Sequence, residues 1–380
     1  MKTFVVPGLG LILFVVAAVT TAAVAPVPPP PTLAAKSYLL MDFNSGRILA
    51  SKDVDQRIEP ASITKIMTAY VVYKEIENGH LQLHDPVTIS KKAWQMGGSK
   101  MFIDVGKQVT VDDLLKGLVI QSGNDAAVAL AEHVGGSEDV FASLMNQYAS
   151  KLGMKNTHYV NSTGWPDVKH YSTAHDIAII ARATIAEFPE HYKLYAVHEF
   201  TWNNITQPNR NLLLYRDSTV DGIKTGHTET AGYCLVSSSL RDNMRLISVV
   251  LGTKSDVARA DISQALLGYG YRFYESDQLY AATDELKQVR VWKGEIENVG
   301  LGLSADLHVT VPRGQSQKLK TVMEILPDVE APVKKGQQLG TLRIMLDGKE
   351  LLTRPLVALR AVAEGSLWQR ARDYLIRFFQ

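Results

Sequence analysis

A serine and a lysine that could form a nucleophile and its base stand three residues apart, at Ser62 and Lys65. The apolar residues after them repeat at helical spacing, so Ser62 lies at or beside the start of a helix. Residues i and i+3 share one helix face, which brings the amine within reach of the hydroxyl. A desolvated lysine near other cations loses its proton more easily. Lys65 can therefore act as the general base that activates Ser62 for covalent catalysis.

Two later runs carry side chains suited to the same chemistry: Ser122-Gly123-Asn124 and Lys224-Thr225-Gly226. Lys224 supplies the cation near Lys65, and an amide of its strand can join the Ser62 amide in an oxyanion hole. Ser122 can pass a proton to a leaving amine, and Asn124 can hold Lys65 or a substrate amide. Each run alone is common in turns and caps, so the prediction rests on all three in this order.

The surrounding patterns place these runs on defined elements. Two short strands flank a turn within Ser37–Lys52. Helical spacing predicts further helices over residues 111–120, 125–133, 137–152, 172–188 and 262–274. Strand patterns follow at residues 198–203, 231–240 and 244–252. This order predicts an α/β (α+β) domain over residues 36–276, with an antiparallel sheet flanked by helices.

The composition of the chain changes beyond about Ser276. Short alternating segments and the turn Asp347-Gly348 predict a separate small all-β domain over residues 277–364. In residues 365–380, apolar side chains fall on one helical face and charged ones opposite. The apolar set is Leu367, Trp368, Ala371, Tyr374, Leu375, Phe378 and Phe379, and the opposite set is Arg370, Asp373 and Arg377.

The N-terminal 25 residues have the pattern of a signal peptide. Lys2 precedes a nearly continuous apolar stretch that ends in Ala23-Val24-Ala25. An uncleaved anchor is the alternative, although Pro7 and the glycines near it weaken a continuous spanning helix. Residues 26–35 are Pro-rich, and we expect them to form a short extended linker that does not pack.

Composition excludes several classes of function. The formal charge of +1 in 380 residues gives no reason to expect nucleic acid as a partner. Cys234 is the only cysteine, so no intramolecular disulfide can form, and its apolar surroundings indicate a buried structural thiol. His170 and His175 lack a matching carboxylate arrangement, and no Gly-rich phosphate loop follows a strand. We therefore expect neither a metal nor a cofactor.

The three runs resemble the Ser-x-x-Lys, Ser-x-Asn and Lys-Thr-Gly motifs of serine β-lactamases and penicillin-binding proteins. Within that class, residues 36–380 resemble the low-molecular-mass penicillin-binding proteins that are D-alanyl-D-alanine carboxypeptidases. The resemblance extends through residues 60–68, 121–126, 171–174, 208–211, 220–228 and 244–248. One departure is Thr163-Gly164-Trp165 at the expected rim of the pocket, where similar chains often have His-Gly-Leu.

This resemblance implies a serine-type carboxypeptidase that removes the terminal D-alanine from peptidoglycan pentapeptide stems and is inhibited by β-lactams. It implies acylation of Ser62 with Lys65 as its base, and Ser122 and Asn124 in proton relay and substrate holding. It also implies a substrate-binding set on or near the third motif: Lys224, Thr225, Gly226, His227, Arg259 and Arg210. Either arginine suits the terminal carboxylate, but either can equally be a structural ion-pair residue.

Three rival functions remain open on the same fold. A β-lactamase needs a deacylating base, and the Glu199 to Asn203 run that could offer one has the pattern of a strand. A transpeptidase differs in using an amine in place of water as acceptor. A catalytically silent peptidoglycan-binding protein is disfavoured because the serines and lysines of all three motifs are present.

The amphipathic pattern of the terminal helix predicts attachment to the outer face of the inner membrane of a bacterium. Residues Ser366–Gln380 are too few and too polar to span a bilayer, so the helix should lie in the interface. Arg370, Arg372 and Arg377 would then meet anionic head groups. The alternative is packing on the β domain or dimerisation, and the sequence gives no oligomeric state.

Overall fold

The computed structural model describes residues 27–378, so the signal-peptide prediction for residues 1–25 lies outside them. Its first nine strands are β1 (Ser37–Asp42), β2 (Ile48–Lys52), β3 (Pro86–Thr88), β4 (Gln108–Thr110), β5 (Glu199–Trp202), β6 (Ile205–Pro208), β7 (Val220–Thr228), β8 (Gly232–Arg241) and β9 (Met244–Thr253). The accompanying helices are α1 (Lys65–Glu77), α2 (Lys91–Gln95), α3 (Val111–Val119), α4 (Asn124–Gly135), α5 (Glu138–Leu152), α6 (Ala174–Glu187), α7 (Pro189–Tyr192), α8 (Leu213–Arg216) and α9 (Asp256–Phe273).

The central sheet has the strand order β2-β1-β9-β8-β7, and each pair is antiparallel. Successive side chains of a strand point to opposite faces. Leu39 therefore packs into a core with α1, α3, α4 and α6, whereas Leu40 packs into a second core with α9. Both faces of the sheet are covered by helices, which confirms the predicted fold class. The strand β7 lies at one edge and is hydrogen-bonded on one side to β8.

Two segments differ from the sequence-based expectations. Helix α9 begins at Asp256, six residues before the predicted start at Ile262, because Ser255 caps it by accepting a hydrogen bond from the Ala258 amide. Residues 27–35 contain no helix or strand, but they pack on the domain, whereas the linker was expected not to pack. Val27 and Leu33 contact the second core, where burial of their apolar surface stabilises the segment.

The second part of the chain contains β10 (Tyr274–Tyr280), β11 (Lys287–Arg290), β12 (Asn298–Gly302), β13 (Leu307–Pro312), β14 (Leu319–Ile325), β15 (Gln338–Leu346), β16 (Lys349–Ala358) and α10 (Leu367–Phe378). Strands β10 and β13 form a ribbon, and the others form an antiparallel sheet in the order β11-β12-β16-β15-β14. The ribbon meets the first part at the turn after β1. There, Asp42 accepts a hydrogen bond of 3.1 Å from the Ser276 hydroxyl.

The terminal helix α10 lies on the second sheet by its polar face. Asp373 is only 3% exposed and accepts a 2.7 Å hydrogen bond from the Lys293 amide, whereas Trp368 on the opposite face is 86% exposed. The predicted head-group arginines are paired within the protein: Arg370 with Glu364, Arg372 with Glu297, and Arg377 with Asp328 and Glu330. In this structure their charges are therefore engaged within the protein, and their contact with anionic head groups stays a prediction. Among residues 27–378, no helix is both long and apolar enough to cross a membrane.

Candidate active site

Ser62 lies on a short 3-10 turn, Ala61–Thr64, that leads directly into α1. Lys65 begins the helix one turn later, so its side chain returns to the serine. The Lys65 Nζ is 2.9 Å from the Ser62 Oγ. This contact is the one that the i to i+3 spacing predicts.

Lys65 has two further hydrogen-bond partners, and both can only accept. Its Nζ donates to the Asn124 Oδ1 at 2.7 Å and to the Thr163 carbonyl at 2.8 Å. In its neutral form the amine has two protons, which these two oxygens can bind, so that its lone pair is left for the Ser62 hydroxyl. Burial, followed by the nearby Arg210 guanidinium, lowers the pKa of Lys65 to about 7, against an opposing effect of Asp125. Lys65 is therefore suited to accept a proton from Ser62 near neutral pH.

The Thr163 carbonyl belongs to a loop that Asn161 holds in shape. The Asn161 Oδ1 accepts hydrogen bonds from the amides of Thr163, Gly164 and Trp165. Gly164 has a φ of 80°, and a Cβ there would lie 1.8 Å from the Ala61 carbonyl oxygen. The loop can lie this close to the nucleophile turn only with glycine at that position.

Ser122 lies in the connection between α3 and α4, and Asn124 is the first residue of α4. Ser122 is buried and has a φ of 62°, an uncommon conformation for a residue other than glycine. The Asn124 side chain joins two parts of the site, since its Oδ1 binds Lys65 and its Nδ2 donates to the Gly97 carbonyl at 2.7 Å. The side-chain amide of Asn124 therefore links Lys65 to the backbone at Gly97.

Asp125 also shapes the site, although it was not among the predicted site residues. Its buried carboxylate accepts hydrogen bonds from the amides of Met101, Phe102 and Ala126. These contacts hold the segment around residue 100 beside Asn124. The sequence signal that could have found it was its position directly after Asn124 of the second motif.

The third motif lies on β7, the edge strand beside the nucleophile turn. A Cβ on Gly226 would lie 3.1 Å from the Pro60 carbonyl oxygen and 3.2 Å from the Ile63 amide nitrogen. Lys224 is buried, and its Nζ donates to the Thr225 carbonyl at 3.1 Å. Burial, together with the charges of Lys65, Arg210 and Arg259, lowers the pKa of Lys224.

The two candidate arginines both reach the cavity. Arg259 is buried and donates to the carbonyls of Gly226 and Cys234, and the exposed Arg210 donates to the Ser99 hydroxyl at 2.7 Å. Within residues 27–378 neither guanidinium forms an ion pair with a carboxylate. Their charges are therefore available to an anionic ligand. His227 is exposed, and its ring contacts the Tyr233 ring in a tilted arrangement with the centroids 4.0 Å apart.

These elements enclose a cavity of about 1080 Å³. The predicted site residues that line it are Ser62, Ser122, Asn124, Arg210, Thr225, Gly226, His227 and Arg259. Lys65 and Lys224 are buried beneath it. The structure thus brings together all ten predicted site residues, and Trp165 forms part of the rim.

Two predictions outside the cavity can be compared with the structure. Cys234 is fully buried, and burial raises the pKa of its thiol to about 11, as expected for a structural thiol. Glu199 begins strand β5, so the Glu199 to Asn203 run does have strand structure over its first four residues. In the described part of the chain, no group of three His, Cys, Asp or Glu side chains could hold a metal ion.

The chain is similar to known proteins over both of its parts. Residues 22–255 match the family described as D-alanyl-D-alanine carboxypeptidase, and residues 274–364 match the family described as Penicillin-binding protein 5, C-terminal domain. D-alanyl-D-alanine carboxypeptidase DacC of Escherichia coli is 44% identical over 353 residues, which are 91% of this chain and 88% of that protein.

Solved structures agree with this assignment. Penicillin binding protein 5 from Haemophilus influenzae has a TM-score of 0.85 and 42% identity, and the match covers 89% of this chain and 100% of that one. Penicillin-binding protein D2 from Listeria monocytogenes, solved in a cefotaxime-bound form, has a TM-score of 0.60 and 27% identity, covering 64% and 100%. The predicted family and reaction class are confirmed. The chain belongs to the D-alanyl-D-alanine carboxypeptidase family of low-molecular-mass penicillin-binding proteins and is a serine-type peptidase.

Proposed function

We propose that the chain releases the terminal D-alanine of a peptidoglycan pentapeptide stem, with Ser62 as nucleophile and Lys65 as its base. The observation that carries the assignment is the hydrogen bonding of Lys65. Its two acceptor-only partners leave the amine lone pair for the Ser62 hydroxyl, and its pKa of about 7 makes the neutral form abundant.

In the acylation step, the Ser62 Oγ forms a bond to the carbonyl carbon of the penultimate D-alanine as its proton passes to Lys65. The amide of Ser62 and an amide of β7 stabilise the oxyanion. The C–N bond then breaks, and Ser122 passes the Lys65 proton to the leaving amine of the terminal D-alanine. In the second step water attacks the ester carbonyl and gives a proton to Lys65. The bond from the carbonyl carbon to the Ser62 Oγ then breaks, Lys65 returns the proton to that oxygen, and the shortened peptide leaves with a C-terminal carboxyl group.

The substrate carboxylate is bound at the cationic side of the cavity. Lys224 and Thr225 of β7 and the guanidinium of Arg259 are assigned to this group, with Arg210 as the second arginine. A guanidinium offers a fork that matches a carboxylate, and here it has no competing carboxylate partner among residues 27–378. Gly226 and His227 continue the edge strand, whose free side can align an extended peptide.

We also propose the cellular setting and the division of the chain. Residues 1–25 act as the export signal to the periplasm, residues 36–276 form the catalytic domain, and residues 277–364 form the β domain. The terminal helix attaches the enzyme to the membrane surface. Support comes from the orientation of α10, because the contact of its polar face with the protein through the buried Asp373 leaves Leu367, Trp368 and Leu375 exposed to meet lipid.

Replacing the nucleophile tests the assignment. Ser62→Ala should abolish labelling by fluorescent penicillin and lower D-alanine release from a pentapeptide at least about a thousandfold, because the only proposed acyl acceptor is gone. Lys65→Ala should lose nearly as much of the penicillin labelling and of the D-alanine release. Equal circular dichroism and thermal midpoints would show that both variants fold.

The same assay separates the rival functions. Release of D-alanine without a cross-linked product identifies the carboxypeptidase, and fast recovery of free enzyme from the penicillin adduct would identify a β-lactamase. Labelling of Ser62→Ala at the wild-type rate would contradict the assignment of the nucleophile.

A further inference from the structure

A second cavity of about 520 Å³ adjoins the catalytic cavity and shares one wall with it. Its lining residues are Lys91, Lys92, Gln95, Met96, Gly97 and Trp165. Trp165 lines both cavities and is half exposed. A peptide held at Ser62 can therefore extend past one indole ring into the second cavity.

The shared wall is tied to the catalytic asparagine. The Trp165 ring packs on two glycines, since a Cβ on Gly97 would lie 3.4 Å from its Cη2 and a Cβ on Gly98 would lie 3.5 Å from its Cζ3. The Gly97 carbonyl accepts the 2.7 Å hydrogen bond from Asn124. The second cavity thus opens from the side of the active site where Asn124 lies. The cations assigned to the terminal carboxylate, Lys224 and Arg259, do not line it.

The two lysines of the second cavity differ in their partners. Lys92 forms a 2.8 Å ion pair with Glu138, and the other oxygen of Glu138 accepts hydrogen bonds from Ser162. The charge of Lys92 is therefore balanced by Glu138. The hydrogen bonds from Ser162 to Glu138 support the loop around Thr163. Lys91 is exposed and forms no ion pair or side-chain hydrogen bond within residues 27–378. Lys91 leaves a net positive charge beside the cavity.

We propose that this second cavity is a substrate subsite for an acidic residue that precedes the D-alanyl-D-alanine end of the stem peptide. Lys91 binds the carboxylate of that residue, and Trp165 packs against the peptide between the two cavities. The argument rests on the carboxypeptidase function, because a substrate whose C-terminal carboxylate is bound by Lys224 and Arg259 has only its upstream residues left to extend. A cation and an aromatic wall suit an acidic peptide segment.

Two pentapeptides test this subsite. They share one sequence, and the acidic upstream residue carries either a free carboxylate or a carboxamide. For the wild-type full chain, we expect KM for the carboxylate peptide to be about three- to fivefold lower, the range of an exposed ion pair. Lys91→Gln should raise KM for the carboxylate peptide to that of the carboxamide and leave kcat unchanged. Lys349→Gln, an exposed lysine on the second sheet, should keep the wild-type preference.

Two controls make the result decisive. Raising the salt concentration should weaken the preference in the wild type, because solvent screens an exposed charge pair. A short N-acyl-D-alanyl-D-alanine has no upstream acidic residue, so Lys91→Gln should hydrolyse it at the wild-type rate. Failure of every enzyme form on this short substrate would contradict the carboxypeptidase function itself. If the wild type does not distinguish the pentapeptides, or if Lys91→Gln keeps the preference, the subsite is wrong.

Discussion

The ionisation of Lys65 sets the pH at which Ser62 can be activated. Its pKa of about 7 arises mainly from burial and then from Arg210. Only the neutral amine accepts the serine proton, so acylation should be lost as pH falls through about 7 and should rise above it. The ionisation of Lys224 has the opposite effect on the pH dependence of acylation, because only the charged form of Lys224 binds a carboxylate. Its lowered pKa therefore limits activity on the alkaline side.

Changing Arg210 tests this account of the acid limb. Arg210→Gln removes a cation that favours neutral Lys65, so the acid limb of penicillin acylation should move to higher pH. Arg210→Lys keeps the charge and serves as the matched control, which should retain the wild-type limb. The measurement is the second-order acylation rate between about pH 5 and 9, the range in which this base titrates. An unchanged limb in Arg210→Gln would show that burial alone lowers the pKa.

The residues that act on the serine were predictable because local spacing places them. Ser62 and Lys65 meet through one helical turn, and Ser122 and Asn124 lie where the connection between two patterned helices leads into the second helix. Asp125 was not assigned a role, because its partners Met101 and Phe102 lie more than twenty residues earlier in the chain. Contacts of that range leave no periodic signal in one sequence.

At the level of elements, apolar periodicity predicted the sheet and helices, while polar turns and caps limited the accuracy of the predicted helix boundaries and loops. The start of α9 was missed because its first six residues, which include Asp256, Arg259 and Asp261, have no apolar stripe, and the start is set by the Ser255 cap. The loop that presents the Thr163 carbonyl to Lys65 could not be predicted either. Its shape depends on one asparagine and on the close approach of Gly164 to Ala61.

Replacing Gly164 by alanine should separate this loop from the nucleophile turn. The added Cβ would overlap the Ala61 carbonyl oxygen, so the loop must move and withdraw the Thr163 carbonyl from Lys65. We expect Gly164→Ala to slow acylation about tenfold or more and to destabilise the fold by about 2 kcal/mol or more. Acylation kinetics and thermal unfolding would measure the two effects.

Gly314 offers a matched control for the backbone contribution. Its φ of 81° nearly equals that of Gly164, but a Cβ added at Gly314 would have no neighbouring atom within 4 Å. Gly314→Ala should therefore lower the free energy of unfolding by only about 1 kcal/mol, because alanine is less stable in the left-handed conformation. It should leave acylation unchanged. Equal losses of activity and stability in both variants would mean that the contact with Ala61 is unimportant.

On the scale of the whole molecule, the sequence predicted an amphipathic terminal helix but not which face the protein would cover. Segments that connect strands of the second sheet offer Glu297, Asp328 and Glu330 to arginines of α10, and Asp373 is buried beside the Lys293 amide. These complementary charges come from segments far apart in the chain, so a helical pattern alone cannot reveal them. Because they engage the polar face, the apolar face is directed away from the sheet.

Membrane binding by α10 should therefore depend on apolar insertion more than on head-group charge. Replacing Trp368 and Leu375 together by serine removes exposed apolar surface without touching the ion pairs, and it should release the signal-cleaved protein from vesicles. Activity on a soluble pentapeptide should persist in this variant and after deletion of residues 366–380. Arg372→Gln is the control for charge, and it should still sediment with vesicles.

Vesicle composition and salt distinguish insertion from electrostatic attraction. If insertion dominates, the wild-type, signal-cleaved protein should bind vesicles of zwitterionic lipid nearly as well as vesicles containing anionic lipid. It should also stay bound at about 1 M salt, where the Debye length is about 3 Å. Because Arg370, Arg372 and Arg377 are already paired with carboxylates of the protein, they have little charge left to attract anionic lipid. Sedimentation that requires anionic lipid and is lost in salt would show that these ion pairs open at the membrane. Full sedimentation of the protein lacking residues 366–380 would instead place the attachment elsewhere in the chain.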